Sequence, residues 1–473
     1  MKLFLISPAS DLAKSAIYRR SVAPIPPIGL AYIASVLEKD GVNVYIEDQY
    51  ATAITNGELL DKIGREKPDI VGLSCITANV KNGLAIASGI KAIDKNITVI
   101  FGNIHPTLFA QEMLESNVCD IVVRGEGEFT LREIVRTIKQ HGSLGNVCGI
   151  SYSSGGKTLH NPDRKLLDNL DELPYPDWGL LDLNRYRNYP MLGVYDVVLP
   201  LQGSRGCIYK CLFCAQDKIY PKARYRDIVQ IVDEIEYMHN KYKVKCFGFN
   251  DAFFPFTFKS GMEFCAEMAR RGLNKEIKWI TETRVDMVNY ELLKVMKDSG
   301  LEVIMYGFES GNQNVLNAVN KQITLKQAED TMKLTKKIKI RALGLFMLGM
   351  PGDTKESCLE TIRFAKRLDP DIAKFNLTVP LPGSRLFEMY RDKFKDADPD
   401  KFVSWLDWTD YKGEALTVGA LSAKELITLQ RKAMFDFYIN PRKIIKNIFS
   451  RTFSLKDMAY GACNVIGNYL KIR

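Results

Sequence analysis

Short apolar runs recur along the first third of the chain, each followed by a stretch with apolar residues at helical spacing. Residues 2–7 form the first run, and Leu30, Ile33, Ala34 and Leu37 mark a helical face over residues 29–39. Runs rich in Val and Ile follow at 43–47, 70–74, 98–102 and 120–123, with helical patterns at 58–66, 81–94 and 108–115 between them. Strands alternating with helices at this spacing predict a parallel sheet with helices on both faces. Runs that are apolar throughout suit strands buried on both sides. Gly102 and Gly125 fall at strand ends, where a doubly wound sheet receives its ligand.

The pattern breaks over residues 146–195, where Pro162, Pro174 and Pro176 crowd with Asp and Gly, as in a linker. A second alternating series then runs from 196 to 395. Its candidate strands are 197–203, 246–251, 277–284, 303–310, 341–349 and 372–380, and helical patterns at 228–240, 290–299, 325–336 and 355–368 separate them. Six strand–helix units predict a partial (β/α)6 TIM barrel rather than a closed eightfold one. Polar pairs collect at its strand ends (Asn250-Asp251, Thr283-Arg284, Glu309-Ser310), where barrel enzymes place their chemistry. Residues 396–473 read as a small helical C-terminal region. The fold class is thus α/β: a Rossmann-like (flavodoxin-like) domain over 1–145, the linker, the barrel, and the helical end.

Composition narrows the function only slightly. The 65 basic and 56 acidic residues leave a net charge of +9, mild for 473 residues, so nucleic acid is not an expected partner. The start of the chain is too short an apolar run for a signal peptide, and no run approaches the ~18 residues that span a bilayer. A cytoplasmic protein is expected, with an option of peripheral attachment at the inner membrane face. That option rests on the last residues from Arg442 on, where Lys443, Lys446 and Arg451 alternate with Ile444, Ile448 and Phe449. Interfacial helices show this mixture, and so do solvated helical caps.

The ten cysteines are scattered except for Cys207-x-x-x-Cys211-x-x-Cys214. Soft thiolates suit iron–sulfur clusters and zinc. Three ligands leave one iron of a cubane open for a reacting cofactor, whereas zinc would want a fourth ligand, for which His160 and His239 are candidates. Gly203 and Gly206 allow a tight loop there.

The motif, with Phe213 before its last cysteine, resembles the signature of the radical S-adenosylmethionine superfamily. The resemblance continues through Phe249-Asn250-Asp251, Thr281-Glu282-Thr283-Arg284, Gly307-Phe308-Glu309-Ser310-Gly311, Leu348-Gly349-Met350-Pro351-Gly352 and Pro380-Leu381-Pro382-Gly383-Ser384. It implies a [4Fe-4S] cluster on Cys207, Cys211 and Cys214, and S-adenosylmethionine bound by Phe213, Asn250, Asp251, Arg284, Glu309 and Ser310. Asn250 stands where the family often has Asp. A structural ion-pair role for Arg284 and Glu309 is the plain alternative.

The first domain resembles the cobalamin-binding domain fused to one branch of these enzymes. Pro26-Pro27-Ile28-Gly29-Leu30-Ala31-Tyr32, Gly102-Asn103-Ile104-His105-Pro106-Thr107 and Arg124-Gly125-Glu126-Gly127-Glu128 carry that likeness. It implies cobalamin near Ser74, Gly102, His105, Gly125 and Glu126. The Asp-x-His-x-x-Gly triplet that ligates cobalt in mutases is absent, as it is in the radical branch, and Asn103 replaces a usual glycine. Cys75 and Cys119 read either as buried apolar residues or as ligands of a further cluster.

The likeness implies cobalamin-dependent methyl transfer to an unactivated carbon of a small-molecule, lipid or pigment substrate, with an electron donor such as flavodoxin or ferredoxin. An oxidative cyclase or carbon–carbon coupling enzyme on a tetrapyrrole or lipid is the alternative. A non-catalytic metal-binding or electron-carrying module is a third reading.

Overall fold

The computed structural model describes residues 1–10, 23–186, 194, 196–394, 397, 399, 416–441, 443–444 and 455–470. The chain divides into two compact units, Met1–Arg20 with Pro24–Arg187 and Asn188–Arg473 with Ser21–Ala23.

The first unit holds β1 (Lys2–Ser7), β2 (Asn43–Asp48), β3 (Ile70–Ser74), β4 (Thr98–Gly102), β5 (Ile121–Val123), β6 (Ile150–Ser154) and β7 (Lys157–His160). They form one sheet in the order β2-β1-β3-β4-β5-β6-β7. The first five strands are parallel, in the 2-1-3-4-5 order of flavodoxin-like folds. Alternate side chains of each strand feed two cores. Phe4, Val71, Val99 and Phe101 pack with Leu59, Ile63, Ile86 and Ile90 on one face. Leu3, Leu5, Ile70 and Ile100 pack with Leu30, Leu37, Leu131 and Ile134 on the other. Each fully buried side chain of this kind contributes about 1.5–3 kcal/mol. The apolar runs of the sequence are therefore strands covered twice, as expected.

The segment expected as a linker does more than connect. Its first part folds as β6 and β7, an antiparallel hairpin added to the sheet edge on β5. The turn is Gly155-Gly156, both at positive φ (56° and 73°). That conformation matches the tight hairpin turns glycine favours, so the hairpin follows from local chemistry.

The second unit holds β8 (Val198–Leu201), β9 (Ser204–Arg205), β10 (Arg224–Tyr225), β11 (Cys246–Phe249), β12 (Lys278–Thr283), β13 (Leu301–Glu309), β14 (Arg341–Leu348) and β15 (Ile372–Leu377). Six of them make a wholly parallel open sheet in the order β8-β11-β12-β13-β14-β15, and β9 and β10 pair separately. Its helices start on side-chain caps: Asp227, Thr257, Asn289, Thr324 and Thr354 each accept backbone N–H groups of the first turn. The outer face packs on those helices, with Phe249, Phe254, Phe264 and Trp279 as an aromatic cluster. The inner face is floored by Val198, Cys246, Ile280, Val303, Leu343 and Ile372, one from each strand. The strand pattern matches the sequence reading. The helix Phe258–Arg270, between β11 and β12, was not singled out there.

The helix Ala423–Tyr438 closes the open edge. Tyr438 Oη accepts from Ala373 N (3.1 Å) and donates to Ala373 O (2.8 Å), and Gln430 Nε2 donates to Phe375 O (2.8 Å). Most of the basic C-terminal stretch (Arg442, 445–454 and 471–473) lies outside the described residues. No described helix is long and apolar enough to cross a membrane.

Candidate active site

The cysteine loop follows β9 and is pinned by its neighbours. Leu212 N donates to Val319 O (3.0 Å), Leu386 N donates to Leu212 O (2.9 Å), and Cys214 N donates to Cys211 O (3.1 Å). Gly206 turns the chain at φ +89°, where a Cβ would sit 2.7 Å from Lys222 O, so only glycine fits. All three cysteines are half-buried. Burial pushes the Cys214 thiol up to about 11 and raises that of Cys211, and the neighbouring cysteines add to both shifts. Lys321 and Arg284 act the other way on Cys211.

Among the described residues no group of three His, Cys, Asp or Glu side chains is drawn together as a metal clasp. The donor set still fits a cubane: three soft sulfurs on one short loop, with two cations beside it. Both histidines considered for a zinc site have other partners. His239, before the start of β11, meets Val244 O (2.8 Å) and Glu276 (3.3 Å), and His160 meets Ser151 (2.7 Å) and Gln111 (3.1 Å).

The residues expected around S-adenosylmethionine gather at the carboxyl ends of the barrel strands, but most already have work. Asp251 accepts from Gly203 N with both oxygens (3.1 Å each) and from Ser204 Oγ (2.5 Å), bracing the segment that leads into the cysteine loop. Burial pushes its carboxyl up to about 7 against those hydrogen bonds. Asn250 beside it is exposed. Arg284 grips Asp286 with two 2.9 Å bonds, donates to the carbonyls of Lys321 and Gln322, and lies 3.5 Å over the Tyr209 ring. Glu309 pairs with Lys321 at 2.7 Å, both nearly buried. Ser310 Oγ bonds Thr361 Oγ1 (3.1 Å). Phe213 packs on Val315, Val319 and Met350.

Glu309 is at φ +61° beside a register shift in β13. A non-glycine residue in that region marks a position held for a purpose, and bulges concentrate at such rims. Gly307 makes room for it: a Cβ there would meet Glu309 Oε1 at 2.5 Å and Lys321 Nζ at 2.8 Å. Neither Lys321 nor Tyr209 was legible in the sequence, because both reach the site from loops.

In the first unit, Ser74, Gly102, His105 and Gly125 assemble at the carboxyl ends of β3 to β5. Asn103 (φ +82°) donates from Nδ2 to Ser74 Oγ (2.9 Å). His105 Nδ1 meets Thr77 Oγ1 (3.2 Å), its ring leans on Phe109, and burial lowers it to about 4, so the ring is neutral. Around Gly125, at φ +75°, a Cβ would meet nothing within 4 Å. Glu126 behaves differently: its carboxylate accepts from Leu167 N (2.9 Å), tying the following segment to the domain. Cys75 and Cys119 are buried core residues whose thiols burial pushes far up, which fits the apolar reading.

Comparison with known proteins agrees with this geometry. Residues 15–135 match the B12 binding domain family and residues 201–365 the radical SAM superfamily. An uncharacterised methyltransferase of Pyrococcus horikoshii is 32% identical over 95% of this chain and 95% of its own. The anaerobic magnesium-protoporphyrin IX monomethyl ester cyclase of Cereibacter sphaeroides is 31% identical over 87% of this chain and 68% of its own. The fold is shared with the radical S-adenosylmethionine methyltransferase TsrM of Kitasatospora setae, solved with cobalamin and a [4Fe-4S] cluster. That match has a TM-score of 0.68 at 17% identity over 83% of this chain and 75% of that one. The chain belongs to the radical S-adenosylmethionine enzymes that carry a B12-binding domain, and its cofactors are a [4Fe-4S] cluster, S-adenosylmethionine and cobalamin.

Proposed function

We propose that this enzyme transfers a methyl group to an unactivated carbon of a small molecule. The observation that carries the reading is a three-cysteine loop at the mouth of an open barrel, in a chain whose other unit is a B12-binding fold with open space at its Gly125 turn. When bound, the cluster with S-adenosylmethionine supplies a carbon-centred radical, and cobalamin supplies the methyl group.

The chain's own residues position and shield. Cys207, Cys211 and Cys214 hold the cluster, and Lys321 and Arg284 favour the thiolate of Cys211. Asn250, Glu309, Ser310 and Arg284 frame the S-adenosylmethionine site, with Asp251 and Phe213 supporting the loop from behind. Ser74, Gly102, His105 and Gly125 line the cobalamin crevice; the neutral His105 ring adds no charge there. Met305 and Leu345 give the barrel interior an apolar wall above its floor. A flavodoxin- or ferredoxin-type donor would provide the electron, and a cytoplasmic setting, with the basic C-terminal stretch against the inner membrane face, would suit the reduced cluster.

The identity to a cyclase supports a second reading, oxidative cyclisation. Anaerobically reconstituted protein, given methyl-labelled S-adenosylmethionine and a small-molecule extract, separates the two. Methyl transfer yields S-adenosylhomocysteine and 5′-deoxyadenosine together, with label in a new product. 5′-Deoxyadenosine alone would sink methyl transfer and leave cyclisation.

A further inference from the structure

Above the apolar floor of the barrel, the inner face changes character. Alternation along each strand turns the residues two positions further on to the same side. Glu282, Met305, Leu345 and Lys374 therefore form the next layer, and Met347 and Asn376 begin the one above. All six are partly exposed, whereas Thr281, Tyr306, Phe346 and Phe375 on the outward face are buried. The barrel is thus open inside above its floor.

That space has one polar side. On β15, Lys374 and Asn376 share the inward face with Ile372 of the floor, and Thr378 continues the alternation, its N–H donating to Leu348 O (2.9 Å). Asn376 Oδ1 and Thr378 Oγ1 are buried without a hydrogen-bond partner, and Thr378 is 1% exposed. Glu282, on β12, and Lys374, on β15, lie three strands apart in the sheet yet feel each other's charge across the interior. The facing wall is Met305, Leu345 and Met347.

We infer that Lys374, Asn376 and Thr378, with Glu282 opposite, form the polar anchor of the substrate, and that it selects an uncharged hydrogen-bonding group, a hydroxyl or an amide, on an otherwise apolar skeleton. The inference rests on the enzymatic reading above. Two physical facts choose this class. Glu282 and Lys374 are of opposite sign on the same inner layer, so a charged group of either sign would meet a like charge in a half-buried space. A bare hydrocarbon would leave Asn376 Oδ1 and Thr378 Oγ1 without a donor, a loss that buried acceptors do not tolerate cheaply. A hydroxyl or amide donates to these oxygens and accepts from Lys374, while its carbon frame lies along the methionine wall.

The test uses the reconstituted full chain with three probes of similar size: cyclohexanol, cyclohexanecarboxylate and methylcyclohexane. Saturation-transfer NMR should favour cyclohexanol. Its signal should fall roughly tenfold in Asn376→Leu/Thr378→Val, the equivalent of about one net hydrogen bond. Thr378→Ser, which keeps the hydroxyl, should retain it. Because the double variant removes unpartnered buried atoms, its unfolding midpoint without probe should rise rather than fall, and its iron content should match the parent. Equal or stronger binding of either other probe would overturn the anchor. So would an unchanged cyclohexanol signal with no rise in midpoint, which would mean that water already satisfies these atoms. A parent protein that binds four irons and cleaves S-adenosylmethionine yet shows no probe preference overturns the anchor alone, whereas an iron-free parent overturns the enzymatic reading beneath it.

Discussion

Glu309 and Lys321 show how much a single buried pair can be asked to do. Each is about nine-tenths buried, and the pair lies over Gly307 beside the cysteine loop. Glu309→Gln leaves the Lys321 ammonium without its counter-charge, and removing one partner of a buried pair costs about 3–5 kcal/mol. The expected outcome is a lower denaturation midpoint of that order, together with weaker S-adenosylmethionine binding by equilibrium dialysis; unchanged values for both would remove the pair from the site. Asp251 offers a pH test. Burial raises its carboxyl from 3.8 to about 7 in the folded protein. The native state therefore keeps a proton that the unfolded chain has lost, and stability should decline as pH rises from about 4 to about 7. Asp251→Asn should flatten that decline, measured by urea midpoints across the range. A parallel decline in the variant would assign the effect to another group.

At the scale of elements, the parallel barrel sheet needs its last strand covered, because an open edge presents unpaired N–H and C=O groups. The helix Ala423–Tyr438 does this with side chains: Tyr438 serves both groups of Ala373, and Gln430 serves Phe375 O. Tyr438→Phe removes both bonds to Ala373 and should destabilise by about 1–3 kcal/mol, with faster amide exchange at Ala373 as the local signature. Exchange there at the parental rate would show that the edge is protected some other way. The hairpin β6–β7 carries a related lesson. Its Gly155-Gly156 turn is a local signal that the surrounding prolines mask when the segment is read as a whole. Thr324 and Thr354 stand directly before two of the helical patterns read from the sequence, and the structure shows both as caps.

For the whole molecule, the two units match different cofactor families, and the ligand sets proposed for them share no residue. Cys211→Ala removes one of the three proposed cluster ligands and leaves the B12-binding unit untouched. Reconstituted protein carrying this change should lose its iron and sulfide while its cobalamin content, read by absorption, stays near the parental level. Loss of both together would mean that the cluster organises the cobalamin site as well.

The order of the parallel strands and most of their helices, the cysteine triplet and the strand-end polar pairs follow from the chain alone, because periodicity and short spacings are local; the hairpin β6–β7 and the helix Phe258–Arg270 did not come out of that reading. The pairing of Glu309 with Lys321, the stacking of Arg284 on Tyr209, the use of Asp251 and Glu126 as braces, and the polar side of the barrel were decided by the tertiary structure. Each depends on residues far apart in sequence meeting across a curved sheet or a loop. Lys374 illustrates the difference: on β15 it reads as an ordinary surface lysine, and only the curvature of the sheet turns it inward, toward a carboxylate three strands away.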